Sequence, residues 1–159
     1  MKSKGFTITE VVIVMVIFSV FVFGMIYLLN TYMNRVDRNI KLLDTINRMT
    51  QAGELVTQYL IKATGNATSI RISESGTEIA FDIVLVGNKI AANLTVINSR
   101  LIRYTEENQT IDLSIDDVFI KFDMPSGRPP IEVKISSPDP INKGATLTIE
   151  YELYPPGIR

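Results

Sequence analysis

An uncharged apolar run near the start of the chain constrains the fold most strongly. Residues Val11 to Leu29 carry no charged side chain, and their only polar groups are the hydroxyls of Ser19 and Tyr27. At 1.5 Å per residue, a helix of this length covers roughly 28 Å, close to the thickness of the hydrocarbon core of a bilayer. The sequence therefore predicts one membrane-spanning helix here, with Glu10 at its N-terminal edge.

The flanks of this run predict its direction and its fate. Lys2 and Lys4 precede the run, and basic residues beside a span favour the cytoplasmic side, so residues after about Asn30 are expected outside the cytoplasm. Arg35 and Arg38 on the far side weaken this assignment. A cleaved secretory signal has a shorter apolar region followed by a cleavage site of small residues, and no such site follows this run. A retained anchor is favoured.

The residues immediately before the run carry a specific motif. The segment Lys4-Gly5-Phe6-Thr7-Ile8-Thr9-Glu10, followed directly by the apolar helix, resembles the leader and cleavage site of type IV pilins and pseudopilins. The resemblance implies that a prepilin peptidase cuts between Gly5 and Phe6 and methylates the new amine of Phe6. It also implies that Glu10, as the fifth residue of the mature chain, sets the register of subunits in a filament.

Glu10 has two interpretations. A carboxylate beside an apolar run is unfavourable unless it is paired, and the cationic amine of Phe6, in the same helix or a neighbouring one, is a suitable partner. Thr7 and Glu10 also fit a capping box, in which both side chains satisfy free N–H groups at a helix start. A cap alone does not explain the preceding Lys-Gly-Phe, so the filament interpretation is favoured over capping only.

The helical pattern continues past the anchor and changes face near Leu42 and Leu43. The sequence predicts one helix from Phe6 to Thr64, ended by Gly65 in the left-handed conformation. Two stripes recur at steps of three and four residues: Leu29, Met33, Val36, Ile40 and Leu43, then Leu42, Ile46, Met49, Gly53, Val56, Leu60 and Ala63.

Two stripes on different faces require two partners. The resemblance assigns the first stripe, with Val36, Ile40 and Leu43, to the helices of other subunits, and the second stripe to the chain's own domain. The alternative is a kinked helix whose halves share one core.

Beyond the helix the apolar residues alternate, which predicts strands. The expected fold class is α+β and pilin-like: a long N-terminal helix, with a membrane half and an amphipathic half, packed on an antiparallel β-sheet. The predicted segments are a leader (1–5), a membrane and assembly half-helix (6–30), an amphipathic half-helix (31–64) and a β-rich domain (65–159). The predicted strands are Ser69–Ser73, Glu78–Val86, Ala92–Ile97, Leu101–Thr105, Val118–Phe122, Ile131–Ile135 and Thr146–Leu153.

The composition offers little for catalysis. The chain has no His, Cys or Trp, which excludes imidazole bases, thiol nucleophiles and the commonest zinc ligands. We therefore expect no enzyme and no cofactor.

The sequence supports neither metal binding nor DNA binding. An acidic stretch suggests calcium, but Ile111, Leu113 and Ile115 alternate as a strand, so a solvated strand edge is favoured over a metal site. DNA binding stays open without support, because the basic residues are scattered among acidic ones. The acidic stretch is Glu106, Glu107, Asp112, Asp116 and Asp117, and the basic residues are Arg100, Arg103, Lys121, Arg128 and Lys134.

The expected function is that of a minor pilin or pseudopilin in a type IV pilus, a type II secretion system or a DNA-uptake (competence) filament. The implied partners are the prepilin peptidase, other pilin subunits, an inner-membrane assembly platform and the lipid bilayer. Before assembly the chain would cross the inner membrane once, with a cytoplasmic N-terminus and an extracytoplasmic domain; afterwards it would lie at the cell surface or in the periplasm. The alternative is a signal-anchored extracytoplasmic binding domain that does not polymerise.

Overall fold

The computed structural model describes residues 7–65, 69–85, 87–98, 101–106, 109–115 and 117–158. One helix, α1, runs from Ile8 to Leu60 and continues through two compact units, Met1–Lys41 and Leu42–Arg159. The strands are β1 (Thr64–Gly65), β2 (Arg71–Ile72), β3 (Glu78–Leu85), β4 (Asn88–Ile97), β5 (Leu101–Glu106), β6 (Gln109–Ser114), β7 (Phe119–Asp123), β8 (Ile131–Pro138), β9 (Thr146–Leu153) and β10 (Gly157–Ile158).

In the first unit α1 is an exposed apolar helix. Its large apolar side chains from Ile8 to Ile40 are exposed, apart from the partly exposed Val22 and Val36, and none of them is buried by the described part of the chain. The hydroxyls of Ser19 and Thr31 donate to the carbonyls of Met15 and Tyr27, at 2.8 and 2.9 Å. Hydroxyls in a helix find acceptors on the preceding turn in this way, so these polar groups do not interrupt an apolar surface.

In the second unit α1 buries one face. Its buried residues are Thr45, Met49, Ala52, Gly53, Val56 and Leu60. The predicted second stripe is therefore confirmed from Met49 onward, and the change of face is visible between Leu43, 59% exposed, and Thr45, 4% exposed. The prediction was wrong for Ile46, which is 38% exposed.

The helix ends earlier than predicted. It stops at Leu60 rather than Thr64, and Gly65 lies in strand β1 instead of capping the helix. Ala63 forms a β-bridge with Ile83, and β1 pairs in parallel with β10. In these pairings the backbone groups of residues 63–65 find hydrogen-bond partners on other strands. Those pairings would be lost if the helix continued, which explains why it is shorter than predicted.

The strands form two antiparallel sheets and one parallel pair, which together with α1 confirm the predicted α+β class. The first sheet has the order β2-β3-β4-β5-β6, the second β7-β8-β9, and the pair is β1-β10. Asp117, between β6 and β7, has a positive φ of 54°, and its carbonyl accepts a hydrogen bond from the buried Ser137 hydroxyl at 2.9 Å. This fixed turn takes the chain out of the first sheet and into the second.

Helix and sheets share one core in the second unit. The alternating residues of β8, Ile131, Val133 and Ile135, are buried together with Val56 and Leu60 of α1. The closest approach is at Gly53, where an added Cβ would lie 2.8 Å from the ring of Tyr151. A glycine is required there because any side chain would displace Tyr151 of β9.

A turn between β2 and β3 joins the two antiparallel sheets. Gly76 has a positive φ of 69°, and its carbonyl accepts a hydrogen bond from the N–H of Phe122 in β7 at 2.7 Å. An added Cβ on Gly76 would lie 2.9 Å from the carbonyl oxygen of Phe122. We call residues Ser73 to Thr77 the Gly76 turn, because both its conformation and its packing depend on that glycine.

A tyrosine pair joins the end of α1 to β5. The rings of Tyr59 and Tyr104 stack with their centroids 4.1 Å apart, and the Lys62 ammonium lies 4.9 Å from the Tyr59 centroid. The Tyr104 hydroxyl donates to Glu106 Oε2 at 2.9 Å. Burial raises the pKa of the Tyr104 phenol, and the bond to Glu106 raises it further.

This raised pKa predicts a specific loss of stability in alkali. The phenol stays protonated in the folded chain after the unfolded chain has lost its proton near pH 10, so its contribution is complete below pH 10 and declines above it. Tyr104→Phe should cost about 1 kcal/mol at neutral pH through the lost hydrogen bond. Denaturation of the full chain in detergent should show this difference from wild type shrinking above pH 10.

The matched control is Tyr154→Phe, because Tyr154 is 66% exposed. It should follow the wild type at every pH. A Tyr104→Phe difference that stays constant between neutral pH and pH 11 would contradict the argument.

Candidate assembly site

Thr7 and Glu10 form the predicted capping box. The N–H and the hydroxyl of Thr7 donate to Glu10 Oε2, at 2.9 and 3.0 Å. In return the Glu10 N–H lies 3.1 Å from the Thr7 carbonyl and 3.4 Å from its hydroxyl. Glu10 also lies in the first turn of α1, where the helix dipole favours a negative charge. The local sequence thus accounts for the helix start.

The cap does not use up the carboxylate of Glu10. Both bonds from Thr7 go to Oε2, and Oε1 accepts no hydrogen bond from the described residues. An ionised carboxylate has about four acceptor positions, so the capped side chain retains room for a cationic group. Capping and ion pairing are therefore compatible roles for Glu10.

The predicted cleavage and methylation sites lie outside the described residues. Gly5 and Phe6 precede Thr7, the first residue that the structure describes. Cleavage between them and methylation of Phe6 stay predictions from the sequence.

The predicted packing residues lie on an exposed stripe. Ile40 and Leu43 are 57% and 59% exposed, and Val36 is partly exposed. We call Leu29, Met33, Val36, Ile40 and Leu43 the apolar stripe. Beyond Asn30 the stripe lies among polar and charged neighbours such as Asn34 and Arg35, so lipid does not account for it. Large exposed apolar surfaces of this kind usually mark interaction sites.

Helix α1 is long and apolar enough to cross a membrane. Within the described residues it is the one helix that meets this criterion, and none of its most apolar window is buried. Length and composition alone support this point. Together with the exposed side chains they fit a single-pass anchor.

The predicted acidic stretch behaves as a solvated strand. Arg103 donates two hydrogen bonds to Asp112, at 2.8 and 2.9 Å, and holds the pKa of that carboxyl below its ordinary value. Glu106 accepts the Tyr104 hydroxyl. Glu107 and Asp116 lie outside the described residues. Among the residues that the structure does describe, no group of three or more acidic side chains has the arrangement of a metal site.

Comparison with known proteins concerns the N-terminus. Residues 1–26 match a family model described as the prokaryotic N-terminal methylation motif. No curated protein and no solved structure matches the chain. The long N-terminal helix followed by antiparallel sheets is an α+β arrangement consistent with a pilin-like fold. Residues 1–26 of the chain thus carry a type IV prepilin-like signal, the kind of signal that pilins and pseudopilins carry.

Proposed function

We propose that the chain is a minor pilin or pseudopilin that assembles through α1 into a type IV pilus, a type II secretion filament or a DNA-uptake filament. The observation that carries the proposal is the apolar stripe, which continues beyond the membrane-length run with no cover from the described residues. The methylation motif directly before it supplies the processing signal. The β-rich domain favours a minor subunit or pseudopilin, since its strands are long and regular.

Assembly would proceed from the membrane. The anchored chain presents its leader to the prepilin peptidase, which cuts between Gly5 and Phe6 and methylates Phe6. The new amine is cationic at neutral pH, and the free oxygen of a neighbour's Glu10 is a suitable partner for it in an apolar environment. The apolar stripe, including Val36, Ile40 and Leu43, then packs on the helices of other subunits.

The proposed setting follows from these steps. Before assembly the N-terminus lies in the cytoplasm and the second unit outside it, with the bilayer around the apolar run. An assembly platform in the inner membrane transfers the processed subunit into the filament, at the cell surface or in the periplasm. DNA binding is not part of the proposal.

Processing can be measured directly by mass. Co-expression of the full chain with a prepilin peptidase should remove Met1 to Gly5 and add one methyl group to Phe6, as read by mass spectrometry of the purified chain and its N-terminal peptide. A peptidase inactivated at its catalytic residues is the matched control and should leave the mass unchanged. An intact leader with the active peptidase would instead support a signal-anchored domain that does not polymerise.

A further inference from the structure

Three carboxylates lie in a row on the outer face of the second sheet. The strand register places Asp123 opposite Glu132 and Glu132 opposite Glu152. All three side chains are exposed, because the buried residues of β7 and β8 alternate with them. We call Asp123, Glu132 and Glu152 the carboxylate row.

The carboxylate row forms no ion pair within the described part of its own domain. Like charges directly opposite one another on neighbouring strands destabilise a sheet. Within the described chain the three carboxylates form no ion pair, and Asp123 accepts only the N–H of Met124, at 2.7 Å. The next row holds Lys121, Lys134 and Glu150, with Lys134 paired to Glu150 at 2.8 Å, so the two rows together carry two lysines and four carboxylates. The face therefore retains an excess of negative charge.

The row borders an open cavity of about 940 Å³. The Gly76 turn forms the opposite wall, with Glu74 adding a further carboxylate and Ser73 and Ser75 adding hydroxyls. An open cavity of this size admits long side chains from a partner. Because carboxylates outnumber lysines in the cavity lining, cationic side chains are favoured there.

The chain itself carries a suitable cationic pair. Arg35 and Arg38 of α1 are exposed and form no ion pair with the described residues. At 100° per residue Arg35 and Arg38 lie roughly 120° and 180° around the helix from the centre of the apolar stripe. When the stripe packs on other helices, these two guanidinium groups therefore face away from them.

We propose that the carboxylate row of one copy receives Arg35 and Arg38 of a second copy. The inference rests on the proposed function, in which the apolar stripe brings copies together. Guanidinium groups pair with carboxylates through two parallel hydrogen bonds, so the row would fix the orientation of neighbouring domains. The unfavourable alignment of the three carboxylates is thereby offset in the assembly.

Cysteine cross-linking tests this contact, because the chain has no cysteine of its own. Two tagged full-length chains, one with Arg38→Cys and one with Glu132→Cys, are co-expressed with the prepilin peptidase and assembly machinery and then oxidised. A product with both tags is expected on a non-reducing gel. The control replaces Glu132→Cys by Ala91→Cys, on the exposed outer face of the first sheet. The yield should exceed this control severalfold, because only positions 38 and 132 lie side by side in the proposed contact, as a disulfide requires.

A second measurement separates this inference from the proposed function. Ile40→Cys in both chains reports helix packing alone, and Arg38→Glu should lower its cross-linking by about fivefold, with recovery when Glu132→Lys is added. The inference is overturned if the Ile40 positions cross-link while positions 38 and 132 give no product and the charge reversal has no effect. The proposed function would still stand in that case. Absence of cross-linking at Ile40 overturns both.

Discussion

A chain with Ile40→Asp is expected to remain folded and to fail in filament assembly. Ile40 is 57% exposed in the first unit, and substitutions at such surfaces usually change the free energy of unfolding by less than about 0.5 kcal/mol. In a packed helix interface the same carboxylate is buried without a partner, at a cost of about 3 kcal/mol, which lowers association about a hundredfold. Val36→Asp should behave in the same way.

The two effects need two measurements on the same full-length chain. Filaments sheared from cells report assembly, and thermal unfolding in detergent reports the fold. The matched control is Asn88→Asp, which adds the same charge at an exposed position at the start of β4, outside both the apolar stripe and the second sheet, and should leave assembly close to wild type. If Ile40→Asp unfolds the chain in detergent, the stripe belongs to the chain's own core and the assignment to other subunits is wrong.

The Gly76 turn should tolerate no side chain at its glycine. Gly76→Ala is expected to lower the free energy of unfolding by about 3 kcal/mol. One part is the strain of a left-handed conformation, about 1 to 2 kcal/mol for a residue with a Cβ. The remainder is the contact of that Cβ with the Phe122 carbonyl at 2.9 Å, which would disturb the hydrogen bond joining the two sheets.

A second glycine separates these two contributions. Gly127 has a φ of 65°, nearly that of Gly76, but an added Cβ would meet nothing within 4 Å. Gly127→Ala should therefore cost only the strain, about 1 kcal/mol. Chemical denaturation of both variants in detergent gives the difference, and equal losses would mean that the contact with Phe122 contributes nothing.

The spacing of apolar residues predicted those parts of the fold that are determined by interactions between residues close in the sequence. The alternation in Ile131–Ile135 and Thr146–Leu153 is enough to indicate strands, and the shift of the apolar stripe near Leu43 indicates a change of partner. The end of α1 was predicted too late in the chain. Residues 63–65 leave the helix because they pair with Ile83 and with β10, which are distant in the sequence. The strand order of the two sheets was not predicted, because it depends on pairing between segments that are distant in the sequence.

The sites divide in the same way. The capping box of Thr7 and Glu10 was predictable because it is local, and the roles of Gly5 and Phe6 stay predictions from a short motif. The carboxylate row could not be found, because Asp123, Glu132 and Glu152 become neighbours only through the strand register. The contact of Gly53 with Tyr151 likewise depends on packing between distant segments.

The parallel pairing of β1 with β10 has a consequence for the order of events in biosynthesis. Thr64 pairs with Gly157, so β1 can form only after residues nearly a hundred positions later have been synthesised. Contacts of such large sequence separation form late, because the intervening chain must first be ordered. A chain still emerging from the ribosome therefore cannot pair β1 with β10 until Gly157 and Ile158 have been synthesised.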